Sequence, residues 1–296
     1  MGLSISVVIP VKNRPALVAR AVESCLAQTR PPDQIVVADD GSTDETPSVL
    51  RDLARRVPSL TLVERPASGG AAVARNDAAA AARGTYLAFL DSDDTWDATK
   101  LEKQAALAAS HPEAPGIFCG VRYAYAERAP RDGIPPPRVT LADLRTANRL
   151  AGASTGLVRR EVFQTLGGFD ATLPNCEDWD LWLRLAARGD LLVVQEPLVR
   201  YSFEADNKLS RDEEKLLRGH EMVFDKVARD LGEGSEASYV AAMHDLTRAE
   251  LHIRITGRVG RALGHIGRAL GRRPSPAVVG RAVRLVGLAA THGRRT

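Results

Sequence analysis

Short β-branched runs alternate with amphipathic stretches through the first third of this chain, and that alternation leaves few folds open. Ile5 to Pro10 reads as a strand, Pro15 to Gln28 as a helix and Ile35 to Ala38 as a second strand. A helix through Arg56 follows, with Leu50, Leu53 and Val57 on one face. Then come a strand at Leu60 to Val63, an alanine-rich helix at Val73 to Arg83 and a strand at Tyr86 to Leu90. Such alternation implies right-handed βαβ units and a mostly parallel sheet with helices on both faces. Ligands bind such sheets outside the carboxyl ends of the strands. Asp39-Asp40-Gly41-Ser42-Thr43-Asp44 closes the second strand and Asp91-Ser92-Asp93-Asp94 the fourth. Both acidic clusters therefore fall on one rim.

The remainder is less regular. Thr99 to Ser110 reads as a helix, Ile117 to Tyr125 as a strand and Ala129 to Arg138, with four prolines, as a loop. A short helix at Leu141 to Asn148 and a strand near Thr155 to Val158 precede Gly167-Gly168-Phe169-Asp170. A helix at Asp178 to Arg188 follows. From about Ser210 the chain reads as helices, broken at Gly232-Glu233-Gly234 and Pro274-Ser275-Pro276. The expected division is an α/β domain over residues 1–205 and a helical, basic extension over 206–296.

Composition excludes a disordered or collagen-like chain, since 44% of residues are apolar and 26% charged. The net charge of +3 hides a division. From Arg248 onward there are eleven Arg, no Lys and one acid, Glu250, so the tail carries +10 and residues 1–247 carry −7. No apolar run approaches the ~18 residues of a membrane span. The start, Met1-Gly2-Leu3-Ser4-Ile5-Ser6, lacks a signal peptide's features and matches a bare myristoylation pattern. Leu3 to Ile9 is better used as a buried strand. Cys25, Cys119 and Cys176 are odd in number without CxxC spacing, which implies reduced thiols. A cytoplasmic location is expected, peripheral on the inner face of the membrane.

Four clusters carry candidate chemistry. Asp91-Ser92-Asp93-Asp94 has the hard oxygen ligands for a divalent cation with sites left for phosphates, or it caps the next helix. An acid at Asp39 or Asp40 could accept from a ribose hydroxyl or from a pyrimidine imide N–H. The turn Pro10-Val11-Lys12-Asn13-Arg14 is no GxGxxG, which disfavours a dinucleotide enzyme. Gly69-Gly70 opens a helix whose N–H groups, with Arg75, favour an anion. In Glu177-Asp178-Trp179-Asp180 a carboxylate is either a general base or a complement to the helix dipole, and spacing does not choose. The histidines show no HExxH, and neither a phosphate loop nor a GxSxG elbow occurs.

Taken as an ordered set, SVVIPVKNR, IVVADDGSTDET, GGAAVARNDAAAAARGTYLAFLDSDD, LGGFD and EDWDLWLRLAARG resemble the family 2 inverting glycosyltransferases with the GT-A fold. The match runs from about Ser4 to Tyr201. That resemblance implies a Rossmann-like domain moving a sugar from a nucleotide-diphosphate sugar, expected to be a UDP-sugar, to an acceptor hydroxyl. The setting would be polysaccharide, glycolipid or other cell-envelope glycan synthesis. It implies that Asp40, with Asp39 beside it, contacts uracil, and that Pro10 and Asn13 line the nucleotide pocket. Asp91, Ser92, Asp93 and Asp94 would form the ribose-diphosphate and Mg²⁺ or Mn²⁺ motif. Asp178 would be the base, supported by Glu177. Many members carry a histidine where this chain has Glu204, which is a candidate metal ligand. The alternatives are a sugar nucleotidyltransferase, which lacks its glycine- and Lys/Arg-rich loop here, and a non-catalytic nucleotide-sugar-binding module.

In the tail, Gly260-Arg-Ala-Leu-Gly-His-Ile and Gly267-Arg-Ala-Leu-Gly-Arg-Arg form a near-repeat. At 100° per residue Val259, Leu263, Ile266 and Leu270 share a face, opposite Arg258, Arg261, His265, Arg268 and Arg272. Gly260, Gly264, Gly267 and Gly271 lie between. Each glycine costs about 1 kcal/mol in a helix, so packing or a lipid interface must offset them. The expectation is an anionic membrane surface met by residues 258–290, or a helical hairpin folded back on the acidic body with its arginines solvated or paired, or a protein partner. A nucleic-acid partner is not expected, because the tail has no aromatic residue and the body is acidic.

Overall fold

The computed structural model describes residues 2–125, 129–203 and 212–292. The sheet opens with β1 (Ile5–Val11), α1 (Pro15–Leu26), β2 (Gln34–Asp39), α2 (Thr46–Arg56), β3 (Leu60–Glu64), α3 (Ala71–Ala80) and β4 (Tyr86–Phe89). Strand β1 runs parallel to β2 and β4, and β2 parallel to β3. Every residue of β1 and β2 is buried, as expected for strands covered on both faces. Helix α1 starts on Pro15, whose missing N–H is not needed there, and buries Val18, Ala21, Val22 and Cys25 at i, i+3, i+4, i+7 spacing.

The chain continues through β5 (Asp94–Trp96), α4 (Lys100–Ser110), β6 (Gly116–Tyr125), β7 (Arg131–Gly133), β8 (Arg138–Val139) and α5 (Leu141–Thr146). After these come β9 (Leu157–Arg159), α6 (Arg160–Thr165), α7 (Glu177–Ala186) and β10 (Leu191–Phe203). The sheet order is β3-β2-β1-β4-β9-β6-β10-β5, with β9 antiparallel to β4 and β6, and β5 antiparallel to β10. This mixed, mostly parallel sheet agrees with the expected α/β class.

Two local readings change. The stretch 129–138 is no plain loop, since β7 pairs with β6 and β8 with β10. Strands of three and two residues beside prolines leave no periodic signal. Asp94 leaves the acidic turn to begin β5, where it pairs in register with Tyr201 of β10.

The Gly167-Gly168 turn is built around α3. Both glycines have positive φ, 76° and 73°. Asn76 accepts from the Phe169 N–H at 2.9 Å and donates to its carbonyl at 2.8 Å. The Phe169 ring then packs on Phe89 and Phe163.

A second compact unit comprises residues 142–148, 173–176 and 208–296. Its helices are α8 (Glu213–Leu231), α9 (Ser235–Leu251), α10 (Val259–Arg272) and α11 (Pro276–His292), with a π turn at His252–Thr256. Asp212 caps α8 by accepting from Lys215 N–H. Ala262, Ile266 and Ala269 of α10, with Val278, Ala282, Leu285 and Ala289 of α11, pack on Ala242, Met243, Leu246 and Ala249 of α9. The expected apolar face of α10 is thus rotated: Ile266 is buried, but Leu263 and Leu270 point outward. His265 and Arg272 reach the buried carboxylate of Asp245 on α9 at 3.1 and 3.0 Å, which ties part of the basic side of α10 to α9 while Arg261 stays exposed.

A Cβ at Gly168 would lie 2.5 Å from Asn76 Oδ1, whereas one at Gly167 meets nothing within 4 Å. Gly168→Ala is expected to destabilise the protein by about 2–4 kcal/mol and Gly167→Ala by about 1–2, read from urea denaturation.

Candidate functional site

At the carboxyl end of β2, Asp39 and Asp40 are both buried and behave differently. Asp40 Oδ1 accepts from Arg65 Nε at 3.0 Å and Gly69 N–H at 2.8 Å, and its Oδ2 from Ser68 Oγ at 2.6 Å and Gly70 N–H at 2.9 Å. Burial pushes this carboxyl up, but those donors and the Arg65 charge outweigh it and hold it below its ordinary value. Four donors fill the acceptor positions of a carboxylate. Asp40 therefore ties down the 65–70 loop. Asp39 Oδ1 accepts from Ser42 N–H at 3.2 Å, and its other oxygen takes no donor among the described residues. Pro10 is buried in β1 opposite Ala38. Asn13, at φ 53°, is exposed and accepts from Thr43 N–H at 2.8 Å, fixing the turn that borders Asp39.

Arg75, which the sequence places beside Gly69-Gly70 as an anion contact, belongs to α3. It lies on the buried face of α3, and its guanidinium donates to Asp91 Oδ1 at 2.6 Å and Glu177 Oε1 at 2.7 Å. It bridges the turn after β4 and the first turn of α7 through these two carboxylates. Burial opposes its charge, but Asp91 and Glu177 more than compensate. The Phe169 ring lies 5.3 Å from its guanidinium carbon.

Asp93 pairs with Arg14 at 2.9 Å. Burial and then the Asp91 charge push Asp93 above the usual carboxylate range, and Arg14 only partly reverses this. Ser92 is buried. Asp94 is buried too, and burial followed by the charges of Asp91 and Asp93 raises it strongly. Its Oδ2 accepts from Ser154 Oγ at 2.5 Å, while Ser154 Oγ accepts from Asp91 N–H at 3.0 Å. One serine thus joins both ends of the acidic turn. Beneath it Trp96 Nε1 donates to Ser154 O, and Gln104 Nε2 to Thr155 O at 2.9 Å. Gln104 also accepts from the buried Lys100 ammonium, which stands 3.9 Å over the Trp96 ring. Burial lowers Lys100 to about 8.

Helix α7 brings the third acidic cluster to the same residues. Trp179 and Trp182 are buried, and Trp182 stacks edge-on with Phe118 at 4.7 Å, which seats the helix. Asp180 is used structurally, paired with Arg184 at 2.7 Å. Glu177 faces Arg75. Asp178 is half-buried, and its pKa is pushed up to about 7 by burial first, then by Glu177, with a smaller rise from Asp91. Tyr201 Oη accepts from Gly152 N–H at 2.9 Å. A Cβ on Gly152 would meet that oxygen at 2.5 Å, so glycine is what lets the phenol approach, and Asp178 Oδ2 would lie at ordinary contact, 3.7 Å. Burial, then Asp94, Asp91 and Asp178, keep the Tyr201 phenol protonated.

Arg14, Ser154, Gly152 and Tyr201 carry no sequence signal of their own. They become visible only once β4, β9 and β10 are aligned. Glu204 lies outside the described residues.

No three Asp, Glu, His or Cys side chains among the described residues converge to hold a metal ion. The donor set nevertheless suits a hard cation held by one or two carboxylates and completed by phosphate oxygens. Five acids (Asp91, Asp93, Asp94, Glu177 and Asp178) face only two guanidiniums, and burial first, then the neighbouring carboxylate charge, raises Asp93 and Asp94. Asp94 is turned to Ser154.

The Glycosyl transferase family 2 model matches residues 6–166, more than half of the chain. TuaG of Bacillus subtilis strain 168, a glycosyltransferase named for teichuronic acid biosynthesis, is 30% identical over 230 residues, 76% of this chain and 88% of that protein. An uncharacterized Mycobacterium tuberculosis protein, Rv1520, is 31% identical over 194 residues, 64% of this chain but 56% of its own length. The chain belongs to glycosyltransferase family 2. Its fold is that of GT-A enzymes. TarS 1–349 of S. aureus, solved with UDP-GlcNAc, superposes at TM-score 0.68 and 17% identity over 98% of this chain and 89% of that one. The mannosyltransferase PcManGT of Pyrobaculum calidifontis, solved with GDP-Man and Mn²⁺, does so at 0.65 and 21% over 98% and 81%.

Arg75→Met is expected to cost about 3–5 kcal/mol, because two carboxylates lose their cation. Ser154→Ala should cost about 1–3 kcal/mol through one unmet N–H and one unmet acid. Chemical denaturation of both variants checks the order.

Proposed function

We propose that this glycosyltransferase moves a sugar with inversion from a UDP-sugar to an acceptor hydroxyl of a cell-envelope polymer. The observation that carries it is Asp178, a carboxylate with a pKa of about 7 held beside Glu177, Gly152 and Tyr201 at the acidic rim. A base of that pKa is half ionised near neutral pH and takes a proton well. The acceptor oxygen attacks the anomeric carbon, its proton passes to Asp178, and the bond to the nucleotide diphosphate breaks on the opposite side. Glu177 and Arg75 set the charge around the base. Tyr201, held protonated, can donate toward the same carboxylates.

Asp39 supplies the acceptor oxygen that suits the imide N–H of uracil, and the UDP-GlcNAc in the TarS complex is consistent with that donor. Asp93 and Asp91 would hold Mg²⁺ or Mn²⁺, which when bound neutralises charge on the departing diphosphate. The Mn²⁺ of the PcManGT complex supports this, and the name of TuaG supports a cell-envelope product. The reading includes a peripheral location on the anionic inner face of a membrane, and no helix of the described residues is long and apolar enough to cross one.

Asp178→Asn is expected to lower transfer by about 10²–10⁴-fold while UDP binding persists. Turnover near the parent rate would remove Asp178 from the reaction. The ionised form is the active one, so kcat/KM should rise with pH through about 7. Glu177→Gln removes the neighbouring charge that raises Asp178, and the limb should move to lower pH. A thermal-shift panel of UDP-, GDP- and dTDP-sugars with Mn²⁺ tests the donor, the UDP-sugar giving the largest stabilisation.

A further inference from the structure

Helices α10 and α11 spend one face each on α9 and leave the other uncovered. On α10 the outward residues are Leu263 and Leu270, 47% and 36% exposed, with the four glycines beside them. A Cβ at Gly260, Gly267 or Gly271 would meet nothing within 4 Å, and one at Gly264 only the Arg268 side chain. Among the described residues no close contact offsets these glycines. On α11, Val279, Val283 and Val286 are 40%, 66% and 46% exposed at i, i+4, i+7 spacing, which lines them along one stripe.

Charge says what covers these faces. Residues 251–292 hold eight arginines and no acid, whereas 212–250 hold ten acids and five bases. Arg268 and Arg272 converge with Arg248 on one carboxylate, Asp245, so pairing leaves a positive surplus. Arg261 and Arg284 form no ion pair among the described residues. A second copy would set arginine against arginine. Protein interfaces are also enriched in aromatic residues, and 251–292 contains none. Aliphatic stripes among unpaired arginines match an anionic bilayer, which takes small apolar side chains at the acyl boundary and guanidinium groups at the phosphates.

We propose that the outward faces of α10 and α11 dock on an anionic membrane, with Leu263, Val279, Val283 and Val286 entering the headgroup boundary and Arg261 and Arg284 meeting lipid phosphates. This deepens the peripheral location proposed above and is independent of the donor and base assignments. The whole protein is sedimented with vesicles of phosphatidylcholine alone or mixed with phosphatidylglycerol. Binding is expected only to the anionic vesicles and should weaken with salt. Val283→Glu/Val286→Glu should reduce it by at least about tenfold with an unchanged circular dichroism spectrum and melting temperature. Arg261→Gln/Arg284→Gln should reduce it by roughly tenfold. UDP binding should stay unchanged in both variants, so a failure here leaves the enzyme reading standing. Parent-like vesicle binding by both variants, absence of binding to anionic vesicles, or a dimer in solution that Val283→Glu/Val286→Glu dissolves would overturn the proposal.

Discussion

The acidic rim exists because one buried guanidinium holds it. Arg75 comes from α3 and meets a carboxylate 16 residues away and another 102 residues away. Stripping water from an arginine and two acids is costly, and the pairing repays little beyond that. Its value is specification: the turn after β4 and the first turn of α7 can take only one relative position while both answer Arg75. The surroundings fit that role. The Gly167-Gly168 turn delivers Phe169 to the guanidinium, and Arg184 donates to the carbonyls of Leu166 and Gly168, so α7 and the turn brace each other. Arg75 Nε is the one buried side-chain donor left without an acceptor among the described residues. That is the residue of strain expected where two chain segments compete for one fork of donors.

Much of this was legible in the sequence where the signal is local. The alternation up to Tyr86 predicts β1 to β4 in order, and the carboxyl-end rule places Asp39 and Asp91 on one rim. What failed was non-local. β5 is three residues long and exists because β10 lies beside it, about a hundred residues on; nothing near Asp94 announces it. The same pairing aligns Tyr201 with Asp94, which no spacing rule supplies. For Arg75 the distance from Gly69-Gly70 is visible in the sequence, while its partners Asp91 and Glu177 are not. Asp40 and Asp39 are adjacent and alike in sequence. Their roles separate only because Gly41, at φ 67°, lets the turn press on the 65–70 loop, where a Cβ would meet Ala67 and Ser68 backbone at 2.9 Å. On α10 the periodicity correctly gives an amphipathic helix, but its rotation is decided by Asp245, a residue on another helix.

Function and fold pull Asp178 in opposite directions. In the unfolded chain an aspartate releases its proton near 4. In the folded chain burial and Glu177 hold it until about 7. Between those values the folded state binds the extra proton, so this group's contribution to stability falls as pH rises from about 4 through 7. The proposed base would therefore act only in the form the fold disfavours. A structural acid would be relieved by a dedicated partner, as Asp180 is by Arg184. Asp178 instead has its own helix N–H at Trp179 and only indirect help from Arg75. The neighbouring guanidinium is spent on Glu177 and Asp91, which keeps Asp178 near neutrality. A site that needed only stability would have exchanged those partners.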